Sequence, residues 1–119
     1  MVEGKVTLTQ GGIYLAKLDP AKSSEVGKIR PVAILTASII LEINPEIVFI
    51  CPLSSQSYPE LRALHVELLP RDNLKKTSFA LVEHCRSISL KRLTMPRLAQ
   101  LTDREMTLIL SRLQRMVGL

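Results

Sequence analysis

Short apolar stretches separated by turn residues fill the first two thirds of the chain, and this pattern predicts β-strands. Asp19-Pro20, Asn44-Pro45 and the turn at residues 70–73 separate these stretches. Pro52 is expected to stop the third strand. Residues 86–93 are left open, because their apolar positions suit either a short strand or one helical turn. The five predicted strands lie at residues 13–18, 30–36, 47–51, 65–68 and 79–82.

The C-terminal residues follow a helical period instead. Thr102 and Glu105 have the spacing of a capping box, in which each side chain accepts a hydrogen bond from an exposed backbone amide. An apolar stripe follows, and Gly118 is expected to close the helix. The stripe consists of Met106, Ile109, Leu110, Leu113, Met116 and Val117. The pattern predicts one domain over residues 1–119, mainly β, built as a small antiparallel barrel of about five strands with a C-terminal α-helix.

The net charge of +5 is distributed unevenly along the chain. Residues 1–70 hold six Lys or Arg against seven Asp or Glu, whereas residues 71–119 hold ten against four. A basic half favours a polyanionic partner such as nucleic acid. Only four residues are aromatic, which argues against a domain that stacks bases on rows of exposed rings.

Cysteine usage and hydropathy predict where the protein works. Cys51 and Cys85 lack metal-ligand spacing and lie among apolar residues, as small core side chains do. Residues 1–5 show no apolar signal region, and no apolar run is long enough to cross a membrane. We therefore expect a reduced, cytoplasmic protein with no membrane segment and no metal.

Two polar clusters lie where predicted strands begin or end. Arg30 opens the second strand, and Pro31 biases its backbone toward an extended conformation, so its guanidinium should project from the strand. Ser54, Ser55 and Gln56 follow the third strand. Sequential strands usually pair as neighbours, which would bring Arg30 and Ser54 together. A guanidinium and a hydroxyl that converge in this way suit a phosphate group.

The residues of these clusters belong to a longer pattern that resembles the MazF/PemK/Kid toxins of bacterial toxin–antitoxin pairs. The resemblance covers nearly the whole chain in order. It implies an SH3-like barrel, a homodimer, a cognate antitoxin, and a sequence-specific endoribonuclease that cleaves single-stranded RNA to a 2′,3′-cyclic phosphate with no metal or cofactor. The matching segments are Gly-x-Ile-Tyr-x-x-x-Leu-Asp-Pro from Gly11, Ser-Glu-x-Gly-x-x-Arg-Pro from Ser24, Pro-Leu-Ser-Ser-Gln from Pro52, His-Val-Glu-Leu from His65, the run from Phe79 to Ile88, and Lys-Arg-Leu from Lys91.

The same resemblance implies roles for individual residues. The arginine of its Arg-Pro motif falls on Arg30, and its catalytic hydroxyl, commonly threonine, falls on Ser54. Glu25 matches a loop acid and is the one nearby candidate for activating the RNA 2′-hydroxyl. Lys28 stands where the family often has glycine, and His84 where it usually has glutamine. The predicted RNA contacts are Lys28, Ser55, Gln56, Lys75 and Lys76.

Three alternatives stay open at this point. His65 and His84 have titratable rings, although a histidine in an alternating strand is more often structural than catalytic. A relative of the same barrel superfamily inhibits DNA gyrase by binding, and that activity would need no phosphate clamp. A basic barrel that binds nucleic acid without cleaving it is the third possibility.

Overall fold

The computed structural model describes residues 8–19 and 28–119, and within these ranges the chain forms seven strands and two α-helices. The strands are β1 (Gly12–Lys17), β2 (Ile29–Ile34), β3 (Ile47–Ser54), β4 (His65–Leu68), β5 (Ser78–Leu81), β6 (Arg86–Ser89) and β7 (Leu93–Gln100). The helices are α1 (Ser38–Leu41) and α2 (Asp103–Met116). Single 3₁₀ turns lie at Pro59–Leu61, Val82–His84 and Leu90–Arg92.

The strands form one antiparallel sheet in the order β4-β5-β3-β2-β1-β7, with β6 added to β3. In the described ranges β4 and β7 do not pair with each other, so the sheet is barrel-like without closing. The predicted fold class, mainly antiparallel β with a C-terminal helix, is confirmed. The predicted number of about five strands is too low.

Alternate side chains of β1, β2 and β3 enter two separate apolar clusters. Ile13, Ala33 and Cys51 belong to the first cluster, which α2 covers with Ile109. Tyr14 and Val32 belong to the second, together with residues of β6. Because both faces of these three strands are buried, their sequences read as apolar runs rather than as alternation.

Pro52 does not stop the third strand, contrary to the prediction. The strand continues through Pro52, which lies opposite Val32 of β2, and ends at Ser54. On its other edge β3 pairs with β6 as far as Ile50 and with β5 from Leu53 onward. Pro52 therefore lies where β3 changes partner strands, and there a missing N–H donor costs the sheet little.

Two elements have no clear signal in the sequence. β7 is an edge strand whose residues 94–97 are exposed, so it shows no apolar alternation, and an edge tolerates Pro96. α1 is a single turn that buries only Leu41. The open segment at residues 86–93 contains both predicted forms, since β6 is followed by the 3₁₀ turn at Leu90–Arg92.

The predicted capping box of α2 is present: Thr102 Oγ1 accepts from the Glu105 amide at 3.1 Å, and Glu105 accepts from the Thr102 amide at 2.9 Å. Gly118, at φ +82°, closes the helix as predicted. Arg71 also donates to both Glu105 oxygens, at 2.5 and 2.6 Å. Burial alone would raise the pKa of Glu105, but the hydrogen bonds from Arg71 and Thr102 outweigh it and lower that pKa.

The apolar stripe of α2 is only partly a core surface. Ile109 is fully buried, and Met106 and Leu113 are partly buried against the first cluster. Met116 and Val117, at the end of the stripe, are exposed. Across the described ranges, no helix is both long enough and apolar enough to cross a bilayer.

Candidate active site

Pairing between β2 and β3 brings the two predicted polar clusters together. Ala33 lies opposite Cys51, and Val32 lies opposite Pro52. Arg30 precedes the last of these pairs on β2 and Ser54 follows it on β3, so both side chains lie at the same end of the strand pair. The expectation that the second and third strands are neighbours is therefore confirmed, and its physical basis is the short α1 connection between them.

Arg30 and Ser54 line one cavity of about 490 Å³. We call it the cationic cavity, because four of its lining residues are Lys or Arg and none of the described residues that line it is acidic. It brings together six of the residues singled out in the sequence, namely Lys28, Arg30, Ser54, Ser55, Lys75 and Lys76. These residues come from three parts of the chain, so the fold rather than sequence proximity assembles the positive charge. Like-signed charge in a concave surface concentrates anions there.

The Ser54 side chain is held in a defined position. The residue is only 6% exposed, and its Oγ accepts a hydrogen bond from the Gln56 amide at 3.1 Å. This bond uses one lone pair of the hydroxyl. The hydroxyl keeps its own proton as a donor, so Ser54 can donate to an anionic oxygen in the cavity.

Two of the lysines, Lys75 and Lys76, reach the cavity from the turn before β5. In this turn the Asn73 amide donates to the Leu98 carbonyl at 3.0 Å, which attaches the turn to β7. Lys75 Nζ donates to the Asp72 carbonyl at 3.1 Å and is exposed, as is Lys76. Asn73 and Ser78 also line the cavity and were not predicted. In the sequence, Asn73 indicates only a turn, because its position beside the cavity depends on the hydrogen bond to β7.

Comparison with known proteins identifies the family. Residues 9–117 match the family described as PemK-like, MazF-like toxin of type II toxin-antitoxin systems. This chain belongs to the PemK/MazF toxin family. The resemblance found in the sequence is thereby confirmed.

Solved structures of MazF proteins share the fold. MazF from Deinococcus radiodurans superposes with a TM-score of 0.79 at 20% identity, over 97% of this chain and 100% of that one. The toxin MazF-mt6 of Mycobacterium tuberculosis gives 0.74 at 19% identity, over 91% and 97%. A mycobacterial endoribonuclease solved with its cognate antitoxin gives 0.73 at 17% identity, over 94% and 96%.

Lys28 lies at a position with an unusual backbone conformation. Its φ is +64°, in the left-handed region that glycine adopts without strain. Its amide donates to Asp19 Oδ1 at 2.7 Å, and its carbonyl accepts from the Leu18 amide at 2.8 Å. These bonds hold Lys28 in the strained conformation and place a charge at the cavity. Glu25, the predicted base, lies outside the described residues.

Gln56 does not line the cationic cavity. Its amide binds Ser54, but its side-chain Oε1 accepts from the Tyr58 hydroxyl at 2.7 Å. The prediction that Gln56 contacts RNA stays a prediction, because the structure shows it supporting Ser54 and Tyr58.

A second cavity of about 330 Å³ lies beside the first, and we call it the histidine cavity. Its His65 ring is buried, with Nε2 2.9 Å from both oxygens of Glu83. Tyr58 meets that ring edge-on, at 6.0 Å between ring centres. His84 is half-buried, and its Nε2 lies 4.0 Å from Glu83. Within residues 8–19 and 28–119, no three His, Cys, Asp or Glu side chains group as metal ligands would.

Proposed function

We propose that this PemK/MazF toxin is a sequence-specific endoribonuclease that cleaves single-stranded RNA without a metal ion. One observation carries the proposal: Arg30 and Ser54, from opposite strands, line one cavity together with three lysines and with no acidic residue among those described. This is the electrostatic environment that a phosphodiester requires. The mycobacterial endoribonuclease of the same fold supports it by analogy.

The chemistry uses a nucleophile that the substrate supplies. The RNA 2′-oxygen bonds to phosphorus, the bond from phosphorus to the 5′-oxygen breaks, and a 2′,3′-cyclic phosphate remains. The proton of the 2′-hydroxyl goes to a base, for which we propose Glu25, and the leaving 5′-oxygen receives a proton. The protein needs only to align, neutralise and exchange protons, so no metal is required.

Arg30 and Ser54 act on the phosphoryl oxygens. As phosphorus becomes pentavalent, these oxygens gain negative charge, and donors already aimed at them stabilise the transition state more than the ground state. Arg30 presents a planar fork that matches two oxygens at once. Arginine side chains stay protonated near neutral pH, so Arg30 serves as a clamp and a proton donor rather than as the base. The Ser54 hydroxyl donates a hydrogen bond to the same phosphate.

The lysines of the cationic cavity bind flanking phosphates. Lys28, Lys75 and Lys76 are exposed, so their heads reach a strand lying across the cavity mouth. Such contacts add affinity that depends on salt and carry no sequence information. Base selection then comes from the surrounding loops, including Ser55 and Gln56.

We further propose a homodimer and a protein antitoxin. Two copies of so small a barrel merge their basic surfaces into one longer groove. An antitoxin segment that is acidic would occupy the cationic cavity in place of RNA. The mycobacterial relative solved with its cognate antitoxin supports the proposal of an antitoxin partner. The proposed site of action is the bacterial cytoplasm, where both mRNA and antitoxin are made.

The test is cleavage by purified protein in EDTA. A mixture of single-stranded RNAs is incubated with the wild type and with Arg30→Ala as the matched control, and the new ends are sequenced. We expect cuts at one short motif, 2′,3′-cyclic phosphate ends, and no cutting by the variant. Absence of cleavage by the wild type contradicts the proposal. Inhibition of DNA gyrase in a supercoiling assay would then favour a toxin that acts by binding gyrase. Binding of RNA without cleavage would favour a barrel that only binds nucleic acid.

A further inference from the structure

The two cysteines, distant in sequence, meet in the first apolar cluster. Cys51 lies on β3 and is fully buried in that cluster, and the partly buried Cys85 packs against the same cluster. Cys85 directly follows the 3₁₀ turn at Val82–His84 and directly precedes β6. Both are free thiols. The proposed cleavage chemistry uses neither of them.

The β3–β6 register ends one residue short of the two cysteines. In the antiparallel pairing of β3 with β6, Val48 lies opposite Ile88 and Ile50 lies opposite Arg86. Cys51 and Cys85 each lie one residue beyond this last pair, and we infer that they continue the register. Directly opposed residues of an antiparallel pair have α-carbons about 4.5–5.5 Å apart, which falls within the range of about 4.4–6.8 Å that a disulfide spans.

The Cys85 thiol also affects the pKa of Cys51. A hydrogen bond with the Cys85 thiol, followed by burial, raises the pKa of Cys51 well above its usual value. The Cys51 thiol also donates to the Pro52 carbonyl at 3.7 Å. Cys51 is therefore a poor first nucleophile. Cys85 is the more accessible of the two, so an oxidant reaches it first.

We propose that Cys51 and Cys85 form a redox-active pair, which a small disulfide oxidant such as oxidised glutathione converts into an intramolecular disulfide. The Cys85 sulfur bonds to one glutathione sulfur, the glutathione S–S bond breaks, and one glutathione leaves as a thiol with the Cys85 proton. The Cys51 sulfur then bonds to the Cys85 sulfur, and the second glutathione leaves as a thiol with the Cys51 proton. The cysteines lose two electrons and two protons, and glutathione gains them.

The bond would cross-link the middle of the sheet to the turn after β5. It would close a loop that contains the end of β3, all of β4 and all of β5. Cross-linking removes conformational freedom mainly from the unfolded chain. For a loop of this length in a domain of this size, the rise in Tm on oxidation is on the order of 10 °C. This inference is independent of the proposed nuclease activity.

The experiment treats the native, reduced protein with oxidised glutathione, then quenches it with acid, denatures it and alkylates the remaining thiols. We expect a protein lighter by two hydrogen atoms, with no alkyl group and no glutathione, and a peptide that joins Cys51 to Cys85. Dithiothreitol should return both the mass and the Tm to their starting values. Closure of the mixed disulfide should accelerate as the pH rises from 7 to 9, because Cys51 attacks as a thiolate, and its burial, which persists in the mixed disulfide, still raises its pKa.

Single variants separate the two steps. Cys51→Ala should stop with one glutathione on residue 85, and Cys85→Ala should keep an unmodified Cys51. Three outcomes for the wild type would each overturn the proposal: two thiols that remain alkylatable, a mixed disulfide that persists, or a disulfide between two chains on a non-reducing gel. The masses of the oxidised wild-type protein test the proposed disulfide even if a variant fails to fold.

Discussion

The cationic cavity and the histidine cavity are neighbours with different electrostatics, because the second is lined by both Arg62 and Glu67. They meet at one strand pair, because Ser54 of β3 lies opposite Phe79 of β5, and each of these residues lines one of the two cavities. The cationic cavity collects lysines and an arginine with no acid among its described lining residues. In the histidine cavity, the imidazole is held against a carboxylate at 2.9 Å.

We expect this difference to separate a binding site, the cationic cavity, from a structural pair, His65 with Glu83. A concave surface with a surplus of positive charge attracts an anion, whereas His65 already has a carboxylate as its partner. Histidine is the side chain most often assigned to acid–base catalysis, yet here it makes the structural contact. The predictions that follow test this division of roles, starting with the largest expected effect.

Arg30→Ala should lower the cleavage rate by about 10²–10³, because it removes a donor pair from the transition state. The fold should survive, since Arg30 contributes donors at a strand end rather than core volume. Arg30→Lys should restore little, as one ammonium does not reproduce a fork. Single-turnover cleavage and circular dichroism measure the two quantities. Wild-type cleavage by a folded Arg30→Ala protein would refute the clamp.

Ser54→Ala should slow cleavage by about 10-fold, a smaller loss than for Arg30, because a neutral donor contributes less than a charged one. Ser54→Thr keeps the hydroxyl and should cleave at nearly the wild-type rate. Ser55→Ala is the matched control at the next position and should have little effect. The assay is the single-turnover rate on the same RNA, and equal losses for the two serines would argue against a specific role for Ser54.

His65→Gln should lower stability more than activity. Loss of the buried contact with Glu83 should reduce the free energy of unfolding by about 1–3 kcal/mol, measured by urea denaturation. Cleavage per folded molecule should stay within about threefold of the wild type. If this variant stays folded but loses cleavage as completely as Arg30→Ala, the histidine cavity belongs to the chemistry.

Replacing both Lys75 and Lys76 by Gln should produce the smallest effect, and one that depends on salt. If both lysines contact phosphates of single-stranded RNA, the slope of log affinity against log salt should fall by about 1.4. Lys91→Gln, an exposed lysine outside the cationic cavity, is the control. The slopes are measured by fluorescence anisotropy, with each change made in the inactive Arg30→Ala protein. An unchanged slope for the double variant would show that Lys75 and Lys76 do not contact the RNA phosphates.

The sequence predicts the central part of this molecule well. Apolar runs locate β1 to β5 to within about three residues, and the rule that sequential strands pair brings Arg30 to Ser54. The helix α2 follows from its capping box and stripe. These features depend on local patterns and on neighbours along the chain, which a single sequence contains.

What escapes the sequence depends on distant contacts. β7 pairs with β1 across the length of the chain, and its exposed residues give it no apolar period. Without β7, the position of Asn73 beside the cavity has no basis, because its amide binds Leu98 of that strand. The orientation of Gln56 toward Tyr58 is likewise decided by side-chain geometry rather than by position along the chain.

β3 has a consequence for the lifetime of the protein in the cell. The strand is paired on both edges, with β2 on one side and with β6 and then β5 on the other, and its residues from Ile50 to Ser54 are buried. Amides in such a strand exchange with solvent only when the whole domain opens. A protease that needs an unfolded segment therefore finds none between Ile50 and Leu53 in the folded protein. Degradation from this region must wait for global unfolding, so the free energy of unfolding of the whole domain governs how long a folded molecule lasts.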